Sequence, residues 1–197
     1  MNTDKKALRI QLLAEIEALP ADYIAQSDEG IYSRMINLPA FKKARVIFSY
    51  YSLGREPDTI KIIQYALNMG KRVTFPVCFK GGVMEARSVS SLDELTPAGY
   101  GLLEPLLSSH VVLPEELDFI IVPALTYDLH GYRLGKGGGY YDRYLSKSKA
   151  FTAGITRQRL LRDTLPREAH DIPVDCIVTE RKARLHGGAS HKERITG

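Results

Sequence analysis

Apolar positions in the first forty residues recur at helical spacing. Leu8, Leu12, Ile16 and Leu19 fall on one stripe, widened by Leu13, and predict an amphipathic helix that stops before Pro20. A second helix is expected over residues 22 to 37, with Ile24, Ile31 and Met35 turned inward and Pro39 opening the next linker. The period then changes. Val46-Ile47-Phe48-Ser49-Tyr50-Tyr51 is rich in β-branched and aromatic residues and reads as the first strand of a sheet. Residues 52 to 59 form a strand-to-helix turn, in which Asp58 or Thr59 can cap a helix running to Met69, with Gly70 placed to end it. Residues 71 to 77 give a second strand ending at a break, Pro76. Strand, helix, strand in this order needs a crossover, and so predicts a parallel pair.

Beyond the polar turn Lys80-Gly81-Gly82, residues 83 to 89 alternate like a half-exposed strand, and residues 90 to 95 suit a helical turn. Residues 96 to 109 carry two prolines and two glycines and read as irregular. Leu117-Asp118-Phe119-Ile120-Ile121-Val122-Pro123 is the most continuously apolar run, as expected of a strand buried on both faces. Residues 151 to 156 and 176 to 179 are further strands, with a helical turn over 158 to 165 between them. The alternation of strands and helices predicts a single three-layer α/β domain, a mainly parallel open sheet flanked by helices. That domain is expected to span residues 1 to 180, leaving residues 181 to 197 as a basic, flexible tail around Gly187-Gly188-Ala189-Ser190.

Composition narrows the classes. A chain of 197 residues with 44% hydrophobic and 25% charged content suits one soluble domain. No run approaches the ~20 apolar residues of a membrane span, and Met1-Asn2-Thr3-Asp4-Lys5-Lys6 leads into an amphipathic segment instead of a secretory leader. A cytoplasmic protein is expected, without membrane or nucleic-acid partners, as a monomer or weak homodimer. The net charge of +4 does not point to nucleic acid, because residues 180 to 197 hold five Lys or Arg against two Glu and the body is left at +1. Cys78 and Cys176 lie in strand-like runs without a CxxC and read as reduced core residues. His130 and His170 sit in turn-like sequence and are given no catalytic part.

The chemistry concentrates in Arg133-Leu134-Gly135-Lys136-Gly137-Gly138-Gly139-Tyr140-Tyr141-Asp142-Arg143-Tyr144-Leu145. Consecutive glycines are costly to fix, and are kept where the backbone needs φ > 0 or approaches a ligand closely. A glycine run opening a helix at Tyr140 aims free N–H groups at one spot, which favours an anion. It is not a dinucleotide fingerprint, since Tyr140 occupies the third glycine place, nor a P-loop, since Lys136 precedes its glycines. A surface turn before a short helix is the plain alternative. Lys5 and Arg9, four apart on one helix face, lack an acidic partner at that spacing.

The run RLGKGGGYYDRYL, preceded by DFIIVPALTYDLHGY and followed by LPREAHDIPVDCIVTE, resembles the 5-formyltetrahydrofolate cyclo-ligase family, also called methenyltetrahydrofolate synthetases. Lys5-Lys6-Ala7-Leu8-Arg9 and the turn over residues 52 to 59 extend the likeness from Lys5 to about Glu180. The resemblance implies ATP-dependent, Mg²⁺-assisted closure of 5-formyltetrahydrofolate to 5,10-methenyltetrahydrofolate, with ADP and phosphate released. By position it assigns ATP to Lys5, Arg9, Arg133, Leu134, Gly135, Lys136, Gly137, Gly138, Gly139, Tyr140 and Tyr141. It assigns folate to Tyr51 and Glu56, with Lys136, Gly137, Gly138, Gly139 and Tyr140 bordering it, Mg²⁺ to Asp142 and Asp175, and the catalytic part to Lys136 and Arg133. On the residues alone, the plain alternatives are complementing a helix dipole for Asp142 and a strand-edge turn for Asp175. Two other functions stay open: an α/β enzyme of sugar phosphates or coenzyme A esters, and a non-catalytic folate- or nucleotide-binding protein.

Overall fold

The computed structural model describes residues 2 to 186, so the glycine-containing part of the expected tail lies outside the described residues. In chain order the elements are α1 (Asn2–Glu17), α2 (Ala21–Asn37), α3 (Pro39–Lys43), β1 (Val46–Phe48), α4 (Ile60–Asn68), β2 (Arg72–Cys78) and β3 (Met84–Val89). Next come β4 (Leu95–Pro97), β5 (Leu103–Pro105), β6 (Val111–Val112), β7 (Phe119–Val122), β8 (Thr126–Tyr127) and β9 (Arg133–Leu134). The chain continues with α5 (Tyr140–Leu145), β10 (Phe151–Ile155), β11 (Cys176–Val178) and β12 (Ala183–Leu185).

Eight strands form one sheet in the order β12-β11-β10-β7-β1-β2-β3-β6. The inner five are parallel, and the antiparallel strands β12 on one side and β3 with β6 on the other complete the edges. Alternation sorts the side chains. Ile47, Phe119, Ile121, Ala153, Ile155, Cys176 and Val178 face α2, α3 and α4, while Phe48, Ile120, Val122 and Ile177 face α5 and the loops around it. Every residue of β7 is buried, as its uninterrupted apolar run requires. On the α5 face, Tyr127 lies directly over Gly154 of β10 and donates its hydroxyl to the Val122 carbonyl at 2.6 Å. A Cβ on Gly154 would stand 2.2 Å from that ring, so the position requires glycine.

The α/β class, the parallel β1–β2 pair and the α4 stop at Gly70 (φ 72°) agree with the sequence reading. Several details differ. Pro76 does not break β2: Thr74 directs its carbonyl to Ser49 beyond β1, and Pro76, two residues on, turns its missing N–H to that same side, where β1 has ended. Pro39 opens the short α3, where the first turn needs no N–H. The expected irregular stretch contains the hairpin β4–β5. Ile24 is only half-buried and Ser27 takes the inward place on α2. Leu13, expected to widen the α1 stripe, is exposed. The sheet also runs past residue 180, because Ala183–Leu185 pairs antiparallel with β11. Cys176 is buried as expected, but Cys78, at the end of β2, is exposed.

Candidate active site

Strand order reverses between β1 and β7, with β2 following to one side of β1 and β10 and β11 lying beyond β7 on the other. An open α/β sheet leaves a crevice at such a point, outside the carboxyl ends of its strands. A cleft of about 300 Å³ opens there. Leu53, Arg55, Glu56 and Pro57 from the turn after β1, Lys136 from the loop after β9, and Thr156 and Arg157 after β10 line it. Leu13, Ile16 and Glu17 of α1 close one side. This explains the exposure of Leu13: α1 packs Leu12 against Leu125, Leu134 and Leu165 and leaves its neighbouring stripe at the cleft.

The glycine loop is held from both ends. Arg9 Nε donates to the Gly135 carbonyl at 2.9 Å, and Arg143 donates to the carbonyls of Gly138 at 2.7 Å and Gly82 at 3.1 Å. Gly137 (φ 101°) and Gly139 (φ 65°) occupy the left-handed region, which explains glycine at both. Gly138 does not, and a Cβ there would meet the Tyr140 ring at 3.0 Å, a contact that a small shift relieves. Among the described residues, the N–H groups of Gly137, Gly138 and Gly139 have no acceptor. With six residues, α5 contributes a weak dipole, so the loop's own N–H groups are its main attraction for an anion.

Of the cations expected at the site, Lys5, Arg133 and Lys136 are already paired with acids. Lys5, unpartnered on its own helix, donates to Asp171 at 2.9 Å and lies 3.3 Å from Glu168. Burial pulls its ammonium down, but the Asp171 hydrogen bond and the two nearby charges outweigh that and leave its pKa raised. Arg133 donates to Asp142 Oδ1 at 2.5 Å and to the Ile172 carbonyl at 2.7 Å. Lys136 donates to Glu56 Oε1 at 2.9 Å, joining the turn after β1 to the glycine loop across the cleft. Glu56 is fixed by the Leu53 N–H, which donates to its Oε2 at 3.0 Å.

Sequence reasoning missed Arg157. Its fully buried guanidinium donates to Ser27 Oγ at 2.9 Å, Asp28 Oδ1 at 2.7 Å, and the carbonyls of Arg55 at 2.9 Å and Glu56 at 3.4 Å. It thus ties the Glu56 turn to α2. Burial raises the Asp28 pKa, although the Arg157 charge opposes this. The available signal was an arginine two residues after the apolar run of β10, at the end of the sheet where sites collect. Asp171 and Glu168 were missed too, being more than 160 residues from Lys5.

Other expected residues are placed less directly. Tyr51 is half-buried against the core on the α2 face, and Leu134 is buried beneath α1. The Tyr141 ring stacks on Phe48 with centroids 6.1 Å apart, and burial raises its phenol well above the ordinary range. Asp142 keeps Oδ2 free of protein donors among the described residues. Asp175 lies before the first residue of β11, where its Oδ2 accepts the Thr152 N–H at 2.8 Å and hydroxyl at 2.9 Å. From Thr152 to Thr156 at the cleft is about 13 Å along β10, so Asp175 is not brought to the cleft itself. No group of three or more His, Cys, Asp or Glu suited to a metal occurs among the described residues.

The family model of the 5-formyltetrahydrofolate cyclo-ligases matches residues 1 to 180. The chain belongs to that family. The Escherichia coli (strain K12) 5-formyltetrahydrofolate cyclo-ligase is 34% identical over 171 residues, covering 84% of this chain and 94% of the relative. A probable 5-formyltetrahydrofolate cyclo-ligase of Schizosaccharomyces pombe is 32% identical, covering 92% and 98%. The solved structure of Aquifex aeolicus 5,10-methenyltetrahydrofolate synthetase superposes with a TM-score of 0.83 at 33% identity, over 94% of each chain. This protein is therefore an enzyme of the cyclo-ligase family, and the crevice between β1 and β7 is its candidate active site. Among the described residues, no helix is long and apolar enough to cross a membrane.

Proposed function

We propose that the protein closes 5-formyltetrahydrofolate to 5,10-methenyltetrahydrofolate at the expense of ATP. The observation that carries the reading is the meeting of Glu56 and Lys136, 2.9 Å apart, on the two loops that flank the switch point of a cyclo-ligase fold. A fixed carboxylate suits the N–H donors of a pterin ring. The free N–H groups of Gly137, Gly138 and Gly139, with Arg9 beside them, suit phosphate.

The formyl oxygen is a weak nucleophile, so its attack on the γ-phosphorus depends on alignment and on exclusion of water. ADP leaves, and the formyl oxygen becomes part of a phosphate ester. N10 then attacks the activated carbon and gives up its proton, and the C–O bond breaks to release phosphate and leave the methenyl bridge. The protein supplies position and charge: the glycine N–H groups, Arg9, Lys5 and Lys136 meet the phosphoryl oxygens, while Arg133 fixes Asp142. Mg²⁺, which neutralises charge on nucleotide phosphates, typically needs only one or two protein carboxylates. Asp142 offers its free Oδ2 for this, whereas Asp175, held by Thr152 about 13 Å along β10 from the cleft, is not given that part.

Purified protein mixed with 5-formyltetrahydrofolate, ATP and Mg²⁺ is expected to produce the near-ultraviolet absorbance of the methenyl product only when ATP is present. Binding of both ligands without product would leave a binding protein in place of the enzyme.

A further inference from the structure

Three cation–carboxylate pairs surround the glycine loop, and they are held with different firmness. The Lys5 side chain is 10% exposed and gripped by two acids, and that of Arg133 is 6% exposed and shared between Asp142 and a carbonyl. The Lys136 side chain is 73% exposed, and Glu56 is its single partner among the described residues. Glu56 has far less freedom. Leu53 donates to its second oxygen, and its backbone carbonyl and that of Arg55 are held by the buried Arg157. Within this pair the carboxylate is the fixed member. The ammonium is the exchangeable one, carried on a flexible stem next to a glycine at φ 101°.

We propose that the Lys136–Glu56 pair is an exchangeable latch that couples the two substrates. A pterin ring presenting N–H donors to Glu56 displaces Lys136, and the freed ammonium turns to a phosphate group on the adjacent glycine loop. The inference rests on the cyclo-ligase reading and adds to it a thermodynamic link between folate and nucleotide. By linkage the effect is reciprocal: nucleotide that attracts Lys136 exposes Glu56 to the pterin, and each ligand tightens the other by the same factor. Arg55, another cation on the cleft wall, does not replace Lys136 in this role. Its guanidinium is committed to the carbonyls of Ile16 and Leu19 at the end of α1.

The size of the effect is bounded by exposure. A solvent-exposed ion pair shifts an equilibrium by up to about fivefold, and salt screens it. The expected coupling is therefore about two- to fivefold at low ionic strength, fading as salt is raised.

The test is calorimetric titration of the full chain with a non-hydrolysable ATP analogue and Mg²⁺, with and without saturating 5-formyltetrahydrofolate, and the converse titration. In the unmodified protein each ligand is expected to bind about two- to fivefold tighter in the presence of the other. Lys136→Gln, at an exposed position that leaves folding intact, is expected to bring that factor to about one while folate alone binds more tightly. Glu56→Gln is expected to raise analogue affinity in the absence of folate. A coupling factor unchanged by Lys136→Gln, or absent when both ligands bind the unmodified protein, overturns the latch and leaves the functional reading standing. Failure of the unmodified protein to bind 5-formyltetrahydrofolate overturns both.

Discussion

At the amino-terminal ends of the parallel strands, carboxylates are satisfied by backbone. Asp118 Oδ2 accepts the N–H groups of Arg45 at 2.7 Å and Val46 at 2.9 Å, and Asp175 Oδ2 accepts the N–H and hydroxyl of Thr152. Around the glycine loop, carboxylates accept a backbone N–H and are paired with a long cationic side chain as well: Glu56 with Lys136, Asp142 with Arg133, Asp171 with Lys5. A backbone N–H cannot leave without unpairing a strand, whereas a lysine or arginine can be traded for a ligand with little change in the fold. The same residue type thus fixes the sheet at one end and holds side-chain cations at the other, most loosely in the exposed Lys136–Glu56 pair. Arg157 departs from this division. It lies at the carboxyl ends, yet it is as fixed as any backbone donor.

Substitutions at both ends probe that contrast. Arg157→Met, which leaves Asp28 without its cation and frees the Glu56 turn, is expected to cost about 3 kcal/mol in denaturant unfolding. A loss below about 1 kcal/mol would place this arginine among the exchangeable cations. Lys5→Ala and Arg9→Ala are expected to weaken apparent ATP affinity about tenfold and folate affinity far less. Unchanged ATP affinity in both would detach α1 from the site. The Lys5 variant has a pH signature as well. The Lys5 pKa is raised and the Asp171 pKa is lowered, chiefly through their shared hydrogen bond and charges acting against burial. The pair therefore stabilises across neutral pH, loses its contribution on the alkaline side as Lys5 deprotonates, and on the acid side as Asp171 is protonated.

Smaller effects separate the two ends further. Asp118→Ala is expected to cost about 1–2 kcal/mol with kcat/KM unchanged, whereas Asp142→Asn is expected to raise the Mg²⁺ concentration for half-maximal rate with little change in stability. An unaltered Mg²⁺ titration would make Asp142 a structural partner of Arg133 alone. The smallest difference lies within the loop: Gly139→Ala should cost about 1 kcal/mol more than Gly138→Ala, because of the two only Gly139 is left-handed. Equal costs would mean that the loop relaxes freely.

Sequence period and apolar runs revealed the sheet and the helix beside it because each is buried in a way that leaves a pattern: β7 as a continuous run, α4 as a stripe between turn residues. Strands of two residues, such as β8 and β9, are too short to show a period. Pro76 was misread because sequence marks the missing donor but not the side of the strand on which it falls. The glycine loop, Glu56 and Lys136 were legible as chemistry through resemblance, and the fold brings Glu56 to Lys136. Their supports were not legible: Arg157 reaches α2 across 130 residues and Lys5 reaches Asp171 across 166, distances over which no local pattern operates. Leu13 shows the same limit, since a stripe predicts a buried face but not what ends before it.

Following the formyl oxygen is the most direct test of the mechanism. With 5-formyltetrahydrofolate labelled with ¹⁸O at the formyl group, ATP and Mg²⁺, the account predicts that the label appears in the inorganic phosphate released, in step with methenyl product. Product formed with ATP while the phosphate stays unlabelled would contradict phosphorylation of that oxygen.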